Sequence, residues 1–168
     1  MKKLVIGALV AITVGGTFAG CGSSKPATES ATPDVKIDLT ASVEGLVEKF
    51  PIRMPGDATD QDLKDVFKIN MDNINSFAMK QCMMTPGIDV IGIFEAKDGK
   101  VEEVKTDLKK ILETKEVAAY LPPEKEALEN AKIVNNGNYV GIFLVEGEEE
   151  GQNPIPDIEK EFNALFTK

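Results

Sequence analysis

The sequence predicts an α+β domain: a mainly antiparallel four-stranded sheet, built from two hairpins in a ββα-ββα order, packed against a layer of helices and preceded by a helical segment. Two pairs of apolar, strand-like runs are each broken by turn residues, Thr85-Pro86-Gly87 in the first and Asn135-Asn136-Gly137-Asn138 in the second. Each pair leads into a segment whose apolar residues recur every three or four positions, the period of a helix. Hairpins followed by helices place the helices on a face of an antiparallel sheet.

The first helix is expected from Thr40 as N-cap, with Val43, Leu46, Val47 and Phe50 on one stripe and Pro51 ending it. A second should open at Thr59-x-x-Asp62, a variant of the capping box, carry Leu63, Val66 and Phe67 on its apolar face, and stop near Asn70. Strands follow at about 75–84 and 88–96, joined by a Pro-Gly pair that suits a type II turn. Asp98-Gly99 breaks the chain before a long helix carrying Val101, Val104, Leu108, Ile111 and Leu112. Leu121-Pro122-Pro123 stops that helix and starts a shorter one through about Ala131, because proline is tolerated in the first helical turn. The second hairpin joins Ile133-Val134 to 139–145 across Asn-Gly. Asn153-Pro154 then introduces a last helix with Ile158, Phe162, Leu165 and Phe166 on one stripe.

Ahead of this domain, 37–168, the chain reads as an export leader and a spacer. Lys2 and Lys3, the apolar run 4–14 and the small residues Gly15, Gly16, Ala19 and Gly20 have the layout of a signal peptide over 1–20. The apolar run is short for a permanent span, which takes about 20 residues. Residues 22–36 are rich in Ser, Thr, Pro and Ala without apolar periodicity and read as a disordered tether. Phe18-Ala19-Gly20-Cys21 resembles the lipobox of bacterial lipoproteins, although Phe18 stands where leucine is usual. That resemblance implies cleavage before Cys21, lipid on its thiol, and a protein held on the extracytoplasmic face of the cell membrane. A small-x-small cleavage at Thr17-x-Ala19, releasing a soluble chain from Gly20, remains the alternative.

Losing Lys2 and Lys3 takes 19 basic side chains to 17 against 28 acidic ones, a net charge of −11. Such a surface repels nucleic acid and anionic lipid. With Cys21 lipidated, Cys82 is left alone, so the domain has no internal disulfide.

The order of motifs also resembles the small exported lipoproteins of Clostridia-like bacteria that carry the domain of unknown function DUF4358. The likeness covers most of the stretch from Leu39 to Phe166. It rests on Asp89-Val-Ile-Gly-Ile-Phe-Glu-Ala with the helix after it, on Tyr120-Leu121-Pro122, on Asn130-Ala-Lys-Ile-Val and on Gly137-Asn-Tyr-Val. It implies a lipid-anchored protein and brings no functional residues with it.

The chain has no histidine, which excludes Ser-His and Cys-His nucleophile pairs and histidine ligation of metals. Ser76 and Lys80 are too far apart along a strand to act together locally. Glu95, an acid within an apolar strand, is the candidate general base; the wet end of the strand beside Lys97 explains it as well. Met79, Cys82, Met83 and Met84, with Met54 or Met71 in support, offer the soft sulfur ligands that suit Cu(I), but strand alternation divides them between two faces. Core filling by methionine and a buried inert thiol is the competing account. Glu146, Glu148, Glu149 and Glu150 lack EF-hand spacing and read as a solvated loop, while Asp57, Asp60 and Asp62 are explained by helix capping. Tyr120 and Tyr139 are candidates for a ligand groove, against edge packing with the hydroxyl in water. No cofactor is called for. The expected role is a membrane-tethered binding or accessory domain for a protein, peptide or envelope component. A carboxylate- or metal-dependent envelope hydrolase or transferase is the alternative, and a Cu(I) carrier the next.

Overall fold

The structure is a computed structural model, and it describes residues 35–149 and 151–167. The expected signal peptide 1–20, Cys21 and the tether as far as residue 34 lie outside these residues, as does Glu150.

Helix α1 spans Leu39–Lys49. Asp38 rather than Thr40 caps it, accepting the Ala41 N–H at 3.0 Å. Strand β1 is the short run Pro55–Asp57, followed by β2 (Ile74–Cys82) and β3 (Val90–Ala96). Helices α2 (Val101–Ala118) and α3 (Pro122–Asn130) come next, then β4 (Lys132–Asn136), β5 (Tyr139–Leu144) and α4 (Ile155–Ala164). The strands form one antiparallel sheet in the order β1-β2-β3-β5-β4. Both expected hairpins are present, joined through β3 and β5. The chain leaves β3, crosses over α2 and α3 to the edge strand β4, and turns back at Gly137-Asn138 to insert β5 beside β3.

Three further expectations, on the strand count, the second helix and the first turn, are corrected. The sheet has five strands, not four, because β1 pairs Pro55 with Cys82 and Asp57 with Lys80. A strand containing Pro55 and Gly56 carries no alternation of its own and forms only because the end of β2 offers it a partner. The helix expected from Thr59 to Asn70 is reduced to one wide turn, Asp62–Val66. Thr59 and Asp62 do make the reciprocal cap, at 2.7 and 3.1 Å, but Lys68 takes a left-handed φ of 56° and the chain turns away. Gly87 does not adopt a positive φ, so the turn after Pro86 is not type II.

Helices cover both faces of the sheet. Val90, Phe94, Val140, Ile142 and Leu144 pack under α2 and α3 with Val104, Leu108 and Ile111. On the other face Ile91, Ile93 and Phe143 meet Val43 and Leu46 of α1 and Ile155, Ile158 and Phe162 of α4. The continuous apolar run of β3 and β5 is the reason: a strand buried on both sides has no wet face to mark with polar residues.

Candidate functional site

The strand registers gather the C-terminal ends of β2 and β5 and the start of β3 at one end of the sheet, where Gln81 faces Val90 and Val90 faces Leu144. The segment 51–54, the last turn of α2 and the loop after β5 meet there. Asp89, almost fully buried, accepts the Glu146 N–H at 2.9 Å, and its other oxygen lies 3.5 Å from Arg53 Nε. Arg53 Nη2 donates to Glu146 at 2.6 Å, so one guanidinium ties the chain before β1 to the loop after β5. Partial burial works against the Arg53 charge, but Asp89 and then Glu146 outweigh it and raise its pKa.

Lys115 reaches the same end from α2, where it donates to Gln81 Oε1 at 3.3 Å. Burial pushes its amine pKa down, with Cys82 and Asp89 opposing the shift. An ammonium removed from water favours its neutral form. Cys82 itself is buried.

Two adjoining hollows open at this end and share Glu146, Gly147 and Glu148 as a common wall. The larger, of about 420 Å³, lies between the start of α3 (Pro122, Pro123, Glu126) and the loop carrying Glu148, Glu149 and Gln152. The smaller, of about 340 Å³, is floored by Ile52, Arg53 and Asp89. Gln152 holds the loop in shape: its side-chain oxygen accepts the Glu148 and Glu149 N–H groups at 2.8 and 3.2 Å. Gly147 is required there, since a Cβ would come within 2.2 Å of the Gln152 carbonyl oxygen.

The corner between α2 and α3 leads directly into Pro122 and Pro123, which line the larger hollow. Glu124, fully buried, accepts the N–H groups of Tyr120 and Leu121 through one oxygen at 2.8 and 3.0 Å. The bonds fix the backbone of a corner whose side chains face water: Val117 is 79% exposed, Tyr120 70% and Leu121 49%.

The residues singled out by sequence divide between the two ends of the sheet. Glu95, paired in register with Tyr139, accepts the Ser76 hydroxyl at 2.7 Å. This group lies about five residues, some 17 Å along a strand, from the groove. Tyr139 is buried, with its ring 5.3 Å from that of Phe166, whereas Tyr120 is exposed at the corner between α2 and α3. Met79 lies in the core under α2, while Met54, Met83 and Met84 are exposed at the β1 corner; Met83 N–H donates to the Met54 carbonyl at 3.1 Å. Among the described residues no group of three or more Cys, Asp or Glu is arranged to hold a metal ion. Asp57 pairs with Lys80, Asp60 with Lys64, and Asp62 caps its turn. Sequence reasoning missed Arg53, Asp89, Lys115 and Glu124. Asp89 and Lys115 carried one legible signal, being charged residues at positions the apolar pattern assigns to the interior.

The fold is thus a sheet covered on both faces, with a charged groove at one end. A family model described as "Domain of unknown function (DUF4358)" matches residues 51–145, and the chain belongs to this family. The matched region runs from the segment before β1 to the end of β5 and leaves out α1 and α4. No curated protein and no solved structure matches the chain.

Proposed function

We propose that the protein is a lipid-anchored, extracytoplasmic accessory domain that binds a protein, peptide or envelope component in the groove at the end of its sheet. Its leader 1–20 is cleaved, Cys21 carries the lipid, and the residues up to 36 space the domain from the membrane. The observation that carries the binding reading is an exposed pair, Tyr120 and Leu121, that leads directly into Pro122 and Pro123 on the wall of a preformed groove. Adjacent exposed apolar side chains next to a groove are a common feature of binding surfaces. No helix among the described residues is long and apolar enough to cross a membrane.

Two measurements test this. Metabolic labelling with palmitate should mark the parent and not Cys21→Ser; equal labelling would sink the lipoprotein reading. A pull-down with the full chain from native envelope should recover a partner that the Tyr120→Ser, Leu121→Ser protein loses. Recovering no specific partner would count against the binding reading.

A further inference from the structure

We infer that the groove's partner is an extended polypeptide segment that is basic and carries an apolar anchor. This inference deepens the binding reading and rests on it.

The charge of the groove selects the sign of the partner. Glu126, Glu146, Glu148 and Glu149 line the larger hollow, and among the described residues none that lines it is Lys or Arg. Arg53, the one basic residue lining the smaller hollow, is already engaged with Asp89 and Glu146. Glu146 is paired with Arg53, so an incoming cation meets the carboxylates of Glu126, Glu148 and Glu149, where an anion would meet like charge.

The apolar corner selects the kind of molecule. Tyr120 and Leu121 continue directly into Pro122 and Pro123, which form the wall of the same hollow. A ligand lying across both regions must offer apolar surface to the corner and positive charge to the groove. Basic side chains and apolar ones alternate readily along a peptide, while a small cation could fill the groove but would leave the corner in water. The two hollows sit side by side with a shared wall, which gives the length an extended segment needs.

The mount is also preorganised. Glu124 spends both its bonds on the backbone of Tyr120 and Leu121, so these side chains are presented on a fixed frame although they touch solvent. A partner then does not have to order the corner on binding, which lowers the cost of association.

The test is fluorescence anisotropy on the full chain in detergent. The probes are a short fluorescein-labelled peptide alternating Lys with Leu and Phe, and a twin with Glu in place of Lys. The Lys peptide should bind at least about tenfold more tightly than its twin and weaken between about 50 and 300 mM salt, as exposed charge pairs do. Tyr120→Ser with Leu121→Ser should weaken it about tenfold at both salt concentrations. Glu148→Gln with Glu149→Gln should weaken it by a similar factor at low salt only. The exposed pair Glu44→Gln with Glu48→Gln, on α1 across the sheet, removes the same charge and should change binding less than about twofold. Equal binding of the twins, no effect at the corner, or an equal loss in the α1 pair would each overturn the inference. The last result would assign binding to the bulk charge of the chain, −9 over the whole sequence. A native-envelope partner that proves to be a glycan or an acidic polymer would refute the basic-peptide inference and leave the binding reading standing. Recovery of no partner strikes at the binding reading itself.

Discussion

Replacing Glu124 by alanine tests whether a buried carboxylate holds the exposed corner in place. In the native fold one carboxylate oxygen accepts the N–H groups of Tyr120 and Leu121 at 2.8 and 3.0 Å. Leaving a buried N–H without its acceptor costs about 1–3 kcal/mol, so the two bonds together contribute about 2–6 kcal/mol. Against this, the other oxygen is buried with no partner among the described residues. Leaving such an atom unpaired costs about 1–3 kcal/mol, and alanine removes that cost along with the bonds. The net expectation for Glu124→Ala is a loss of about 3 kcal/mol, a large share of a typical domain stability of about 5–15 kcal/mol. Glu124→Gln keeps a neutral acceptor for the same N–H groups and should lose only about 1 kcal/mol. Urea unfolding of the full chain measures both, and with a slope near 1.5 kcal/mol/M the alanine variant's midpoint should fall by about 2 M. Amide exchange at Tyr120 and Leu121 should accelerate in Glu124→Ala and stay slow in Glu124→Gln. A loss under about 0.5 kcal/mol for alanine, or equal losses for the two variants, would refute the assignment, because the acceptor would then not be what holds the corner.

Three further outcomes are expected. Lys115→Met should stabilise the protein by about 1 kcal/mol at neutral pH by removing a buried charge. The gain should shrink as pH rises through the lowered folded pKa of Lys115 toward 10.5, since the unfolded chain binds the extra proton in that window and native stability rises there; urea midpoints at several pH values give the comparison, and a gain unchanged by pH would contradict it. Gly92→Ala should destabilise by about 1–3 kcal/mol, read as a lower thermal midpoint, because its Cβ would sit 2.9 Å from Met79 Cγ and 3.1 Å from Ile142 Cγ2 between two filled strands. Phe162→Ala should cost about 3–5 kcal/mol by opening a cavity where its ring meets Phe143 at 5.6 Å and Phe166 at 5.2 Å, and a denaturation midpoint within error of the parent would show that α4 does not close this face.

The elements that were legible before folding are those whose signal is local. The α2 stripe of Val101, Val104, Leu108 and Ile111, the proline start of α3 and the Asn-Gly turn between β4 and β5 each follow from neighbours within a few residues. The candidate site was far less legible. Arg53, Asp89 and Glu146 are separated by dozens of residues, and they meet only because β3 and β5 pair in one register. Glu124 reads as an ordinary first-turn acid until its burial is seen. Tyr120 and Tyr139 looked alike in sequence, and packing sent Tyr139 into the core beside Phe166 and left Tyr120 exposed at the α2–α3 corner.

By itself the sequence determined the two hairpins, the helices that follow them and a chain without histidine, because periodicity, turn residues and side-chain chemistry are properties of short segments. Only the tertiary structure decided that helices cover both faces, that Pro55–Asp57 becomes a fifth strand, and that four glutamates face a groove beside an exposed apolar corner. Those outcomes depend on which apolar faces meet and in what register, and distant residues acquire common surroundings only when the chain closes on itself.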